Sequence, residues 1–209
     1  MRLKRVDHVG RSCHVHMSDD TFVRARSLLP WVAGTLLIGA LAVQAETDSS
    51  LESQVKAAFL YNFAKFVTWP TNTFSNAASP FVIGMLAEEP MTQTVEKTVA
   101  GKTVGNRIIE VRQITDVTHI EPCQILFIAQ SKMSFFPRRF FALGNSRVLL
   151  VGESPDFLMV GGTINFTNDE GQMRFEVSTS SAEHAGLRIS SKLLRLATNI
   201  MPPRSGIEK

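Results

Sequence analysis

Phe81-Val-Ile-Gly-Met-Leu86, taken with Cys123-Gln-Ile-Leu-Phe-Ile-Ala129, decides the fold. Both are nearly unbroken apolar runs of strand length, with none of the apolar-polar alternation of a half-exposed strand. Such runs belong to strands covered on both faces, and hence to a parallel sheet between layers of helix. The segments around them fit that frame. A helical stretch from Met91 to Ala100 is closed by Gly101, and Arg107-Ile-Ile-Glu-Val111 reads as the next strand. A short polar helix or turn is expected around Asp116, a helix from about Lys132 to Leu143, and a strand from Arg147 to Val151. Strands alternating with helices give a mainly parallel sheet.

The last third changes character. Ile164 and Phe166, then Met173, Phe175 and Val177, fall on alternate positions, with Asn168-Asp-Glu-Gly171 between the two sets, which is a hairpin signal. A final helix from about Ser181 to Asn199 would bury Leu187, Leu193, Leu194 and Leu196 and stop before Pro202-Pro203. The fold class expected is therefore α/β: a single three-layer domain with a mixed, mainly parallel sheet, a C-terminal β-hairpin and a C-terminal helix.

Upstream of the first strand, Val55, Phe59, Phe63 and Phe66 follow at helical spacing after N-cap candidates between Thr47 and Ser50. Pro70 should end this helix near Trp69. Phe59, Tyr61, Phe63, Phe66 and Trp69 cover more than one helix face. Either the helix is buried on two sides, or it keeps apolar surface for a partner, another subunit or a small ligand.

Residues 1–45 read as a secretory leader: Arg24 and Arg26 as a basic start, an apolar run from Leu28 to Val43, and the small-residue exit Val43-Gln44-Ala45. The run is shorter than the roughly 20 residues of a spanning helix and contains Pro30 and Gly34. Cleavage after Ala45 is expected, with Met17 as a possible true start. Residues 46–209 form the expected working domain, periplasmic and without direct membrane insertion after cleavage.

The cut alters the charge argument. Six of the 22 Lys+Arg and three of the 19 Asp+Glu lie in residues 1–45, leaving 16 against 16. A formally neutral domain gives no reason to propose nucleic acid as a partner. The same cut removes Cys13, His14 and His16. Cys123 remains as a lone cysteine that can form no intrachain bridge; its apolar setting suggests a buried, inert thiol rather than an intermolecular disulfide or a reactive group.

Motifs for catalysis fail one by one. Gly101-Lys102-Thr103 resembles the end of a phosphate-binding loop, but Glu96 stands where that motif needs glycine. Gly152-Glu-Ser154-Pro-Asp156 resembles a nucleophile elbow, but its last position is not glycine and Pro155 lacks the N–H that an oxyanion hole needs. His119 and His184 each stand alone. Glu88 and Glu89 are explained by a helix N-terminus. No catalytic residues, no metal ligands and no cofactor are expected.

Three stretches resemble the YfiR family of periplasmic proteins. They are Val55-Lys-Ala-Ala-Phe-Leu-Tyr-Asn-Phe-Ala-Lys-Phe-Val-Thr-Trp-Pro70, Cys123-Gln-Ile-Leu-Phe-Ile-Ala-Gln-Ser131, and the block from Gly161 to Ala197 with Arg174-Phe-Glu-Val177 and Ala185-Gly-Leu-Arg-Ile-Ser-Ser-Lys-Leu-Leu-Arg-Leu-Ala197. The resemblance implies a homodimeric, non-enzymatic repressor. Its partner would be the periplasmic domain of an inner-membrane diguanylate cyclase of the YfiN type, so that it lowers cyclic di-GMP and restrains biofilm formation. It also implies redox control through disulfides in multi-cysteine members, which a lone mature cysteine does not support. Within the matched motifs, Tyr61, Lys65, Trp69, Glu176, Arg188 and Arg195 are the candidates for contact with a partner or ligand, although Glu176 and Arg188 could instead pair with each other. The alternative is a periplasmic small-molecule sensor or carrier without a cognate cyclase, using a crevice at the carboxyl ends of the parallel strands.

Overall fold

The computed structural model describes residues 49–115, 122–135 and 147–202. The chain opens with helix α1, residues 49–66. Strand β1 follows directly (Val67–Thr68), then β2 (Phe81–Leu86), helix α2 (Glu89–Val99), β3 (Thr103–Val104), β4 (Arg107–Gln113) and β5 (Ile125–Ile128). After a 3-10 segment, Gln130–Phe135, come β6 (Leu149–Gly152), β7 (Ile164–Asp169) and β8 (Gln172–Ser178). The chain continues through α3 (Thr179–His184), β9 (Arg188–Ile189), α4 (Ser191–Leu194) and β10 (Asn199–Met201). The expected turn around Asp116 and most of the expected helix from Lys132 lie outside the described residues.

The main sheet has eight strands in the order β10-β8-β7-β6-β5-β2-β4-β3, with a separate antiparallel pair β1-β9. Pairings β2-β4, β2-β5, β5-β6 and β6-β7 are all parallel. The order β4-β2-β5-β6-β7 is that of a doubly wound sheet whose direction of travel reverses beside β2. Two antiparallel pairings, β3-β4 and β7-β8, make the sheet mixed.

The apolar runs are buried on both faces, as their composition requires. Phe81, Ile83 and Met85 point to one side, where they pack with Ile125, Phe127, Leu149 and Val151 against α1 and α2. Val82 and Leu86 point to the other, with Leu126, Ile128 and Leu150, under Phe157 and Leu158. Helix α1 docks through Ala57, Leu60, Phe63 and Ala64, none more than 1% exposed. Phe59 and Phe63 meet Phe166 and Phe175 with ring centroids 5.3–5.9 Å apart, so aromatic packing fixes the helix across β7 and β8.

The hairpin β7-β8 turns on Glu170 and Gly171, with φ of 50° and 80°. Both central residues being left-handed matches the tight hairpin turn of that type, and Asn168 Oδ1 accepts from Gly171 N at 2.9 Å. The single C-terminal helix expected from Ser181 to Asn199 is replaced by α3, β9, α4 and β10. Gly186 (φ 69°) ends the first turn-rich segment, and Ser190 caps a new short helix by accepting from Leu193 N at 3.3 Å. Leu193 is buried, whereas Leu196 is 62% exposed, so the leucines do not share one buried stripe. The first helix likewise stops at residue 66, because residues 67–68 leave it to pair with β9.

Candidate functional site

An open cleft of about 420 Å³ lies where the carboxyl ends of β5 and β6 meet the amino-terminal half of α1 and the outer part of the β7-β8 hairpin. The consecutive residues Asn165, Phe166, Thr167 and Asn168 all line it. Neighbours on a strand point to opposite faces, so the cleft straddles the margin of the sheet just beyond the end of β6.

Its charged side chains are tied together. Lys56 Nζ lies 2.5 Å from Glu52 Oε1, one turn earlier on α1, and 2.5 Å from Glu153 Oε2, directly after β6. Glu153 Oε1 accepts from Gln130 N at 3.0 Å. Lys56 and Glu153 side chains are 13% and 19% exposed, so this bridge is largely shielded from solvent. Burial pulls the Lys56 pKa down, but hydrogen bonds to Glu153 and Glu52 and the charges of both carboxylates more than offset it. The net result is a pKa raised above the ordinary lysine value.

The turn after β6 is held by close packing. Phe157 is fully buried, with its ring against Gly152 and Gly162, where added Cβ atoms would come within 2.6 Å and 2.1 Å of it. Only glycine fits at either position. The turn therefore presents Glu153 and Ser154 to the cleft. Ser154 Oγ and Asn165 Oδ1 are buried and have no hydrogen-bond partner among the described residues. The serine expected to fail as an elbow nucleophile does sit on a sharp turn after a strand, but no base contacts it among the described residues.

Beside the reversal in strand order, Glu88 accepts from Lys132 at 2.7 Å and from Ser131 Oγ at 3.3 Å. The Lys132 hydrogen bond holds the Glu88 carboxyl below its ordinary range. These contacts cross the crevice at the carboxyl ends of β2 and β5.

The six residues singled out in the sequence fall in different places. Tyr61 lies between two cations, Lys65 Nζ at 5.3 Å and Lys102 Nζ at 4.7 Å from its ring centroid. Trp69 donates through Nε1 to Gln124 O at 3.2 Å and packs edge-on against Phe81 at 4.9 Å, so it closes the core margin. Arg188 is exposed on β9 opposite Thr68. Glu176, on β8, accepts from Asn199 Nδ2 at 3.4 Å, and Arg195 bonds Ser191 O at 3.3 Å. Arg188 and Glu176 thus belong to different sheets, and no ion pair joins them among the described residues. None of the six lines the cleft. The cleft residues carried weaker signals: the i, i+4 pair Glu52-Lys56, polar residues just after a buried strand, and Asn165 inside the apolar Ile164-Asn-Phe166.

His184 Nδ1 sits 2.6 Å from Ser180 O, and His119 is outside the described residues. Cys123 is buried and free, with its thiol pushed up to about 12, chiefly by burial.

Fold and cleft define a doubly wound α/β domain with a charge-paired cleft at the carboxyl edge of its sheet. The chain belongs to the YfiR/HmsC-like family, whose model matches residues 53–198. At family level this places it with periplasmic regulators of diguanylate cyclase systems. Among the described residues no helix is long and apolar enough to cross a membrane. No curated protein matches the chain. Among solved structures, it is similar to an ABC domain in complex with L-Trp from Streptococcus pneumoniae, at 14% identity and a TM-score of 0.44 over 58% of this chain. It is also similar to a conserved domain protein from Vibrio cholerae O1 biovar eltor, at 10% identity and a TM-score of 0.44 over 57%. The chain spans 55% and 54% of the lengths of these two proteins.

Proposed function

We propose that the protein is a periplasmic repressor that binds the sensory domain of a YfiN-type membrane diguanylate cyclase, as a homodimer, after residues 1–45 have directed its export. The observation that carries this reading is the family match over residues 53–198. The mechanism needs no chemistry, only tighter binding to one conformation of the partner. A hundredfold preference for the inactive cyclase shifts its equilibrium by about 2.7 kcal/mol. The exposed part of α1, with Lys65 beside the Tyr61 ring, and Arg188 on the strand paired to β1 supply the contact surface in this reading. Trp69 supports that surface from beneath.

Affinity purification of the tagged protein from its native host, followed by mass spectrometry, tests the partner. Recovery of a diguanylate cyclase with a periplasmic domain, together with raised cyclic di-GMP on deletion, is the expected result. Unchanged cyclic di-GMP in the deletion strain would reject the reading. The alternative of a small-molecule sensor or carrier is favoured by one observation, the cleft with its two unpaired buried polar atoms.

A further inference from the structure

We propose that the surface around the second half of α1 is electropositive and recognises an acidic, Asp- or Glu-rich segment on the periplasmic domain of the cyclase. The inference rests on the repressor reading for its partner and on the placement of charge for its chemistry. The formal neutrality of residues 46–209 hides a segregation along the chain. No Asp or Glu occurs in residues 53–87, 97–109 or 184–202, and the cations of these segments include Lys65, Lys102, Arg188, Lys192 and Arg195.

The fold brings the three segments together. Lys102, in the turn between α2 and β3, reaches over the Tyr61 ring at 4.7 Å, and Lys65, one turn further along α1, reaches over the same ring at 5.3 Å. Ser190 N donates to Phe66 O at 2.9 Å and Arg188 stands opposite Thr68, which ties the third segment to the end of α1. All five cations are exposed, and none has an ion-pair partner among the described residues. Glu96 and Glu183 border two of the segments but pair with none of these cations. Lys56 and Lys132, by contrast, are each held by a glutamate. Unpaired like charges on one surface raise its potential, so an acidic partner relieves their repulsion and is steered toward them. Two ammonium groups fixed over one half-buried ring offer donors at a defined spot. That arrangement suits discrete carboxylates better than a diffuse layer of lipid headgroups.

Titration of the protein purified from cells expressing the full chain, with poly-L-glutamate as probe, tests the proposal. Phosphatidylglycerol vesicles serve as the rival anion. Poly-L-glutamate should bind at about 50 mM salt and at least about tenfold more weakly at about 300 mM. Lys65→Glu combined with Lys102→Glu should weaken it at least about tenfold at low salt with Tm unchanged. Arg174→Glu, an exposed change on the β7-β8 hairpin outside this surface, should leave it within about twofold. Absent poly-L-glutamate binding at low salt, an equal loss in Arg174→Glu, or tighter binding to the vesicles would each overturn the proposal, the last by assigning the surface to a membrane. The double variant also separates this inference from the reading beneath it. If it still co-purifies the cyclase, the acidic contact is rejected and repression stands; poly-L-glutamate binding without a recovered cyclase rejects the named partner and keeps the acidic chemistry.

Discussion

Phe157 and the two glycines against its ring pack the turn that follows β6, which makes that turn sensitive to single methyl groups. Gly162→Ala should destabilise the protein by about 1–3 kcal/mol, the range for overpacking a filled core. Urea unfolding checks this, and adding Phe157→Leu should recover part of the loss if the clash is the cause. Cys123 lies in the same layer, 3.2 Å from where a Cβ on Gly84 would stand. With its pKa at about 12, it should react with Ellman's reagent only after denaturation. Lys56 offers a third test. Its pKa is raised on folding, so its contribution to stability is complete below the ordinary lysine value of 10.5 and is lost as pH climbs through the raised one. Lys56→Met should cost about 1–3 kcal/mol at neutral pH, because it leaves Glu52 and Glu153 facing each other, and the gap in Tm from the parent should narrow above pH 10.5. The inert thiol was legible from its apolar setting. The unpaired Asn165 was not, because a polar residue in an apolar strand does not reveal in sequence whether a neighbour satisfies it.

Secondary structure was most legible where burial is two-sided. The runs at Phe81–Leu86 and around Ile125–Ile128 announced themselves by length and composition, and Glu170-Gly171 announced the hairpin. The C-terminal region was misread because leucine spacing outweighed two local signals, Gly186 and Ser190. A glycine with φ 69° and a serine bonded to the amide three residues on are both interruptions, and tertiary pairing to β1 and β8 then turns the flanking residues into strands. Ser190→Ala should therefore cost about 1 kcal/mol, read as a lowered Tm, by freeing the amide of Leu193. The first helix was expected where it lies, except that it ends at residue 66 rather than near Trp69, and its aromatics proved to be mostly core: Phe63 is fully buried and Phe59 stacks beside it. Lys65 is its exposed cation, beside the half-buried ring of Tyr61.

The proposed regulation by binding predicts a separation between surface and stability. Lys65→Glu combined with Arg188→Glu changes exposed side chains only, so it should leave Tm nearly unchanged while reducing co-purification of the cyclase at least about tenfold. Loss of binding accompanied by a lower Tm would instead indicate damage to the fold. Family membership was legible from the long matched stretches at the start and end of the domain, which hold α1 and the strands it packs on. The cleft was not, because its walls come from segments about 100 residues apart that only the sheet brings together, as the Lys56-Glu153 bridge shows. The same architecture bears on when the chain can fold. Helix α1 covers strands that come after it in the chain, and β10 completes an edge next to β8. Such contacts cannot close until almost the entire polypeptide is available. A chain of this topology therefore stays without its native packing while its tail is still being made, and gains it only once the C-terminal strands can pair.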